Sequence, residues 1–181
     1  DFARLSEHLV HLKKKNRIAI MISNRSLTGT KWFPTAMLGT APEHSYGDYF
    51  RWMADACYHI NAEYDIINDS ERDFAPYDAI LLPTLYSADE DLISALKAYT
   101  KNGGHLIASF RSFFSDEYLK VYADAQPHHL TDCFGLTYDR FTKPTNVTLA
   151  SKLADFPEHP AVYDWMELPE QVTGEVLCTY E

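Results

Sequence analysis

With 181 residues, 46 % hydrophobic and 23 % charged, the chain has the composition of an ordinary soluble globular domain with room for a sizeable core. Its formal net charge of −10 argues against nucleic acid or an anionic membrane as partner, and no apolar run is long enough to span a bilayer. Three widely spaced cysteines, Cys57, Cys133 and Cys178, fit reduced thiols in a cytoplasmic protein better than a disulfide framework. No signal peptide is visible, and Asp1 stands where an initiator Met would, so the sequence is expected to be a fragment or a processed product.

Phe2, Leu5, Leu9 and Leu12 recur at helical spacing, which predicts a helix over residues 2–15 ending in Lys13-Lys-Lys15. Ile18-Ala-Ile-Met-Ile22 is a continuous apolar run, the pattern of a strand covered on both faces. Residues 24–44 are expected to form a long loop carrying Trp32 and Phe33. Tyr46, Tyr49, Phe50, Met53, Cys57 and Ile60 predict a second helix over 46–61, with Cys57 as a core thiol. Short strands are expected at 63–68 and 79–83, joined by an extended crossover. Asp89-Glu-Asp91 opens a helix whose buried stripe is Leu92, Ile93, Leu96 and Tyr99, and Gly103-Gly104 ends it.

The apolar run from His105 to Ser109 gives a fourth strand, so strands alternate with amphipathic helices. The expected fold is α/β and three-layered: a parallel sheet with helices on both faces. Phe113 and Phe114 fall in the loop after that strand, and Asp116-Glu117 is expected to begin a helical turn. Leu130, Cys133 and Phe134 suggest a short helix ended by Gly135. The remainder carries strand-like segments at 136–141, 147–149 and 175–180, punctuated by prolines.

The chemistry is notable for what is missing. There is no phosphate-cradling glycine loop and no G-x-S-x-G or G-x-C-x-G elbow. Ser109 stands at the elbow position after the fourth strand, but bulky Phe110 and Arg111 follow it, unlike the small neighbours a strained nucleophile turn needs. His128-His129 with Cys133 is set aside as a metal site, because adjacent helical residues do not share a face. No catalytic, cofactor-binding or metal-ligating residue is therefore assigned.

Several stretches together carry a family resemblance. They are Tyr77-Asp-Ala-Ile-Leu-Leu-Pro-Thr-Leu-Tyr86, the helix at 90–101, Asn102-Gly-Gly-His-Leu-Ile-Ala-Ser-Phe-Arg-Ser112, Leu130-Thr-Asp-Cys-Phe-Gly-Leu136, the stretch 49–67 and the segment 162–180. In order and spacing they resemble the trimerisation domain of the β-galactosidases of glycoside hydrolase family 42.

The resemblance implies a flavodoxin-like fold of the class I glutamine amidotransferase type without its cysteine. It also implies an upstream (β/α) barrel holding both catalytic glutamates of a retaining mechanism, and a ring of three copies. Residues 1–16 would be the linker helix from that barrel and 17–181 the trimerisation domain. The partners would be two further copies of the chain and its own barrel, with no cofactor. Two features differ from the family: the aromatic pair after the first strand is displaced to Trp32-Phe33, and Phe113 stands where a glycine is usual.

Trp32, Phe33, Phe113, Phe114 and Tyr118 fall in two loops at the same predicted sheet edge, and are expected to form an apolar interface. Two other readings compete with assembly. One is an independent amidotransferase-like enzyme using a thiol or hydroxyl; the other is a small-ligand module at the sheet's carboxyl edge around residues 84–88 and 109–113.

Overall fold

The computed structural model describes all residues except 1, 11, 13, 36–43 and 154–159. Helix α1 (Phe2–Leu9) comes first, followed by β1 (Ile18–Ile22), α2 (Asn24–Trp32), α3 (Tyr46–His59), β2 (Tyr64–Asn68) and β3 (Ala79–Leu82). Helix α4 (Glu90–Lys101) and β4 (His105–Ala108) complete a four-stranded parallel sheet of order β2-β1-β3-β4. A short helix α5 (Thr131–Phe134) leads into β5 (Leu136–Thr137), β6 (Arg140–Thr142), β7 (Leu149–Ser151), β8 (Met166–Leu168), β9 (Gln171–Val172) and β10 (Cys178–Tyr180). These last strands form three antiparallel pairs: β5 with β9, β6 with β8, and β7 with β10.

Period-two alternation distributes the sheet between two helical layers. Ala19 and Met21 of β1, Ile80 and Leu82 of β3, and Leu92, Ile93 and Leu96 of α4 share one core, all nearly or fully buried. Ile20 and Leu81 face the other way and pack with Cys57, Phe50 and Met53 of α3. Each fully buried Leu or Ile contributes about 1.5–3 kcal/mol, so the α4 face holds most of the stability. Asp89 caps α4 by accepting from the Leu92 amide at 2.8 Å. The helix ends at Gly103, whose φ of +93° is left-handed backbone that few side chains tolerate.

The expected loop at 24–44 is corrected at its start, since residues 24–32 are helical. Ser23 caps α2, its Oγ accepting from the Ser26 amide at 3.0 Å. The helix escapes sequence detection because Asn-Arg-Ser-Leu-Thr-Gly-Thr-Lys-Trp has no apolar stripe; the residues it buries are Ser26 and Gly29. A Cβ on Gly29 would sit 2.5 Å from the Tyr86 ring, so glycine is what allows α2 to lie this close. The rest of the expected loop, residues 36–43, lies outside the described residues.

Other boundaries also move. The predicted helix over 2–15 ends at Leu9. Asp116-Glu117 begins a turn rather than a helix: Asp116 Oδ1 accepts from the amides of Tyr118 and Lys120, both at 2.9 Å. The expected strand 136–141 is split in two at Tyr138-Asp139, and those at 147–149 and 175–180 become Leu149–Ser151 and Cys178–Tyr180.

Candidate assembly surface

The registers of the parallel sheet place Ile66, Ile20, Leu81 and Ile107 in one row on the α3 face. The two central members are buried under α3, whereas Ile66 is 57 % exposed and Ile107 53 %. Helix α3 therefore covers the middle of the sheet and leaves both outer strands bare. Between α3 and β4 this leaves an open apolar groove of about 420 Å³. Trp52, Met53 and Ile60 line one side of it and Leu81, Ile107 and Phe110 the other. Polar atoms contribute almost nothing to its walls.

One end of the groove is an aromatic cluster. Tyr49 meets Phe110 edge-on at 4.9 Å and Trp52 at 5.5 Å, and the His44 ring lies 4.7 Å from Trp52. Asp164 ties the cluster to the C-terminal strands: its Oδ2 accepts from the Tyr49 hydroxyl at 3.2 Å and lies 2.8 Å from His44 Nδ1. Burial pushes the Tyr49 phenol up to about 12, and the neighbouring Asp164 charge adds to the effect.

The five expected interface aromatics separate into two groups. Trp32 is 73 % exposed, Phe33 48 % and Tyr118 82 %. Helix α2 and the 116–120 turn meet at Gly29, next to which Leu119 packs, so these three do lie on neighbouring elements. Phe113 and Phe114 are corrected: they are buried at 0 % and 9 %, against Phe134 at 6.0 Å and Tyr86 at 5.6 Å respectively. The loop turns inward at φ +56° for Arg111 and +63° for Phe113, which rotates both phenyl rings into the core. Sequence reasoning missed the groove, because Ile66 and Ile107 look like ordinary buried strand residues until the width of α3's cover is known.

The carboxyl edge of the sheet, where open α/β folds bind ligands, is occupied by the chain's own groups. Residues 84–88 are buried beneath α2, and the Ser26 hydroxyl accepts from the Ser87 amide at 3.1 Å. Ser109 Oγ accepts from the Thr84 amide at 2.8 Å and lies 3.0 Å from the Thr84 hydroxyl. Ser112 Oγ accepts from the Leu85 amide at 3.1 Å. Ser23, Arg25 and Arg72 are bound to Asp69 and Asp89 at 2.7–3.2 Å.

Beside this edge the Arg111 guanidinium is buried over Tyr86 at 4.8 Å and Trp165 at 4.7 Å, and burial lowers its pKa. Glu167 Oε1 accepts from the Arg111 amide at 2.7 Å.

Known proteins give this architecture a family. The family described as "Beta-galactosidase trimerisation domain" matches residues 14–181. Beta-galactosidase GanA of Bacillus subtilis is 32 % identical over 110 residues, covering 56 % of this chain and 16 % of that protein. Beta-galactosidase BgaA of Clostridium cellulovorans is 22 % identical over 177 residues, covering 98 % of this chain and 26 % of that protein. The chain thus spans about a sixth to a quarter of the length of these two relatives.

The fold is similar to that of part of the β-galactosidase crystal structure from Bacillus circulans sp. alkalophilus. The TM-score is 0.79 at 17 % identity, over 98 % of this chain and 26 % of that one. The β-galactosidase of Marinomonas ef1 gives a TM-score of 0.80 at 17 % identity, over 97 % of this chain and 25 % of that one. With the parallel sheet, its two helical layers and a family match running almost from end to end, this chain belongs to the β-galactosidase trimerisation domain family.

Proposed function

We propose that this chain is the non-catalytic assembly module of a β-galactosidase-like glycoside hydrolase, and that it forms a homotrimer. The parent enzyme would hydrolyse terminal β-D-galactosides by a retaining mechanism on an upstream barrel. The observation that carries the reading is the half-covered sheet. Ile107, Trp52 and Ile60 are large apolar side chains left at 49–72 % exposure around one groove, as a surface waiting for a partner would be. Trp32, Phe33 and Tyr118 are proposed as a second contact patch on the same molecule. A three-fold ring needs two different patches on each copy, since its contacts are heterologous.

Helix α1 supports a linker role for residues 1–16. None of its described residues is buried, and Phe2, Leu5 and Leu9 lie exposed along it, which suits a helix that packs against something other than this domain. The commitment of Ser109 to Thr84 supports a non-catalytic module, because a nucleophile needs an adjacent base rather than an amide donor. Cys57, Cys133 and Cys178 are all free thiols, in keeping with a cytoplasmic location.

Light scattering coupled to size-exclusion chromatography tests the reading. The expected mass is about three times the 20.7 kDa of one chain. A monomer at every concentration up to about 100 μM, well above what a specific interface of standard size requires, would refute self-assembly by this chain.

A further inference from the structure

Outside the assembly surface one side-chain cluster has no role in the function proposed above. Glu90 is the first residue of α4, and the segment before α5 brings His128 and His129 onto it. His128 Nε2 lies 2.8 Å from Glu90 Oε1, and His129 Nδ1 lies 3.1 Å from Glu90 Oε2. The three ligating atoms are within 4.8 Å of one another. The His128 side chain is 7 % exposed, whereas Glu90 and His129 remain 56 % and 58 % exposed, so one side of the cluster opens to water.

We propose that Glu90, His128 and His129 bind a divalent transition metal of the zinc class, with water completing the coordination. Two imidazoles and one carboxylate form an established donor set for zinc, with arms of about 2.0–2.2 Å. A tetrahedron with arms of about 2.1 Å has edges of about 3.4 Å, so the Glu90–His128 contact opens by about half an ångström and the three ligand atoms, already within 4.8 Å of one another, adjust to admit the ion.

Three further features prepare the site. Asp124 holds His128 Nδ1 at 2.7 and 2.8 Å from its two oxygens. That is the carboxylate–histidine arrangement that turns Nε2 toward a metal. The Tyr122 ring stacks on His128 at 3.5 Å and 8°, which fixes the plane of the imidazole. His129 takes a left-handed φ of +54° and its carbonyl accepts from Lys97 Nζ at 3.0 Å, so its backbone is locked in a costly conformation. That conformation lets two adjacent residues point the same way, their rings stacked at 3.8 Å. Bound metal would fasten the 122–130 segment to the start of α4.

The test is a calorimetric titration of the metal-stripped, untagged chain with ZnCl₂, paired with thermal unfolding. One zinc per chain at micromolar Kd or tighter, with a raised Tm, is expected. Glu90→Gln/His129→Ala changes two exposed side chains and should keep the wild-type circular dichroism spectrum while weakening zinc at least 100-fold. Asp124→Asn should weaken it about 10- to 100-fold. Absence of binding at 100 μM zinc would overturn the proposal. So would unchanged affinity in the folded double variant, which would place the metal on the thiols instead.

Discussion

Phe113 shows how a single residue can hold an unfavourable backbone. Its φ of +63° belongs to a region that costs a bulky side chain about 1–2 kcal/mol, and the family resemblance leads one to expect glycine there. The ring is 0 % exposed against Phe134, so its burial outweighs the strain. Phe113→Ala removes the ring and keeps most of the strain. It is expected to lower stability by about 3–5 kcal/mol, measured by urea unfolding.

Glu167 carries the opposite kind of tension. Burial pushes its carboxyl pKa above the ordinary value, against the pull of the Arg111 amide and the Tyr138 hydroxyl. The folded state therefore holds this proton more tightly than the unfolded one. No stability is lost below the unfolded pKa of about 4.3, and the cost grows as pH rises through the raised folded value. Glu167→Gln keeps an acceptor for the Arg111 amide and removes the charge. Its Tm relative to wild type is expected to improve between pH 4 and pH 8; a difference that does not change with pH would contradict this.

At the scale of elements, α4 was the most legible part of the chain. Asp89, the stripe Leu92-Ile93-Leu96-Tyr99 and Gly103 each carry a local signal that the fold obeys, because cap, burial and stop all act within one helix. Helix α2 was illegible for the converse reason: its closest approach depends on Tyr86, which is 57 residues from Gly29 in sequence (86 − 29). The groove between α3 and β4 was hidden likewise, since it is defined by what α3 fails to cover. The meeting of Glu90 with His128 and His129 was not legible because Glu90 lies far from the His pair, and because His129 departs from helical geometry.

Asp89 is more than a cap to α4, since it also pairs with Arg25 at 3.2 Å and Arg72 at 3.0 Å. Burial works against its ionised form, but the Leu92 amide and the two arginines outweigh that and lower its pKa. The stabilisation is present above the unfolded pKa of about 3.9 and is lost as pH falls through the lower folded value. Asp89→Ala is expected to cost at least the ~1 kcal/mol of a cap at pH 7. The penalty should shrink toward pH 2, as thermal melts of both proteins across that range would show.

For the whole molecule, the decisive variant is one that alters the surface and spares the fold. Ile107 is half exposed on the edge strand, so Ile107→Glu should leave the monomer's circular dichroism and Tm within about 0.5–1 kcal/mol of the parent. A trimer held by the groove would fall apart, because a carboxylate at its centre would be buried without a partner. Retention of the trimeric mass by the variant would move the interface elsewhere, with the Trp32 and Tyr118 patch the first alternative.

The central position of β1 has a consequence for synthesis. Both of its neighbours come later in the chain: Ile18 pairs with Tyr64 and Ala79, 46 and 61 residues onward (64 − 18 and 79 − 18). At about 5–20 residues per second, the apolar stretch Ile18–Ile22 leaves the ribosome roughly 3–12 s before the second strand that covers it. The strand at the centre of this sheet thus waits uncovered on one side until β3 is made, and through that interval its apolar residues are open to a chaperone.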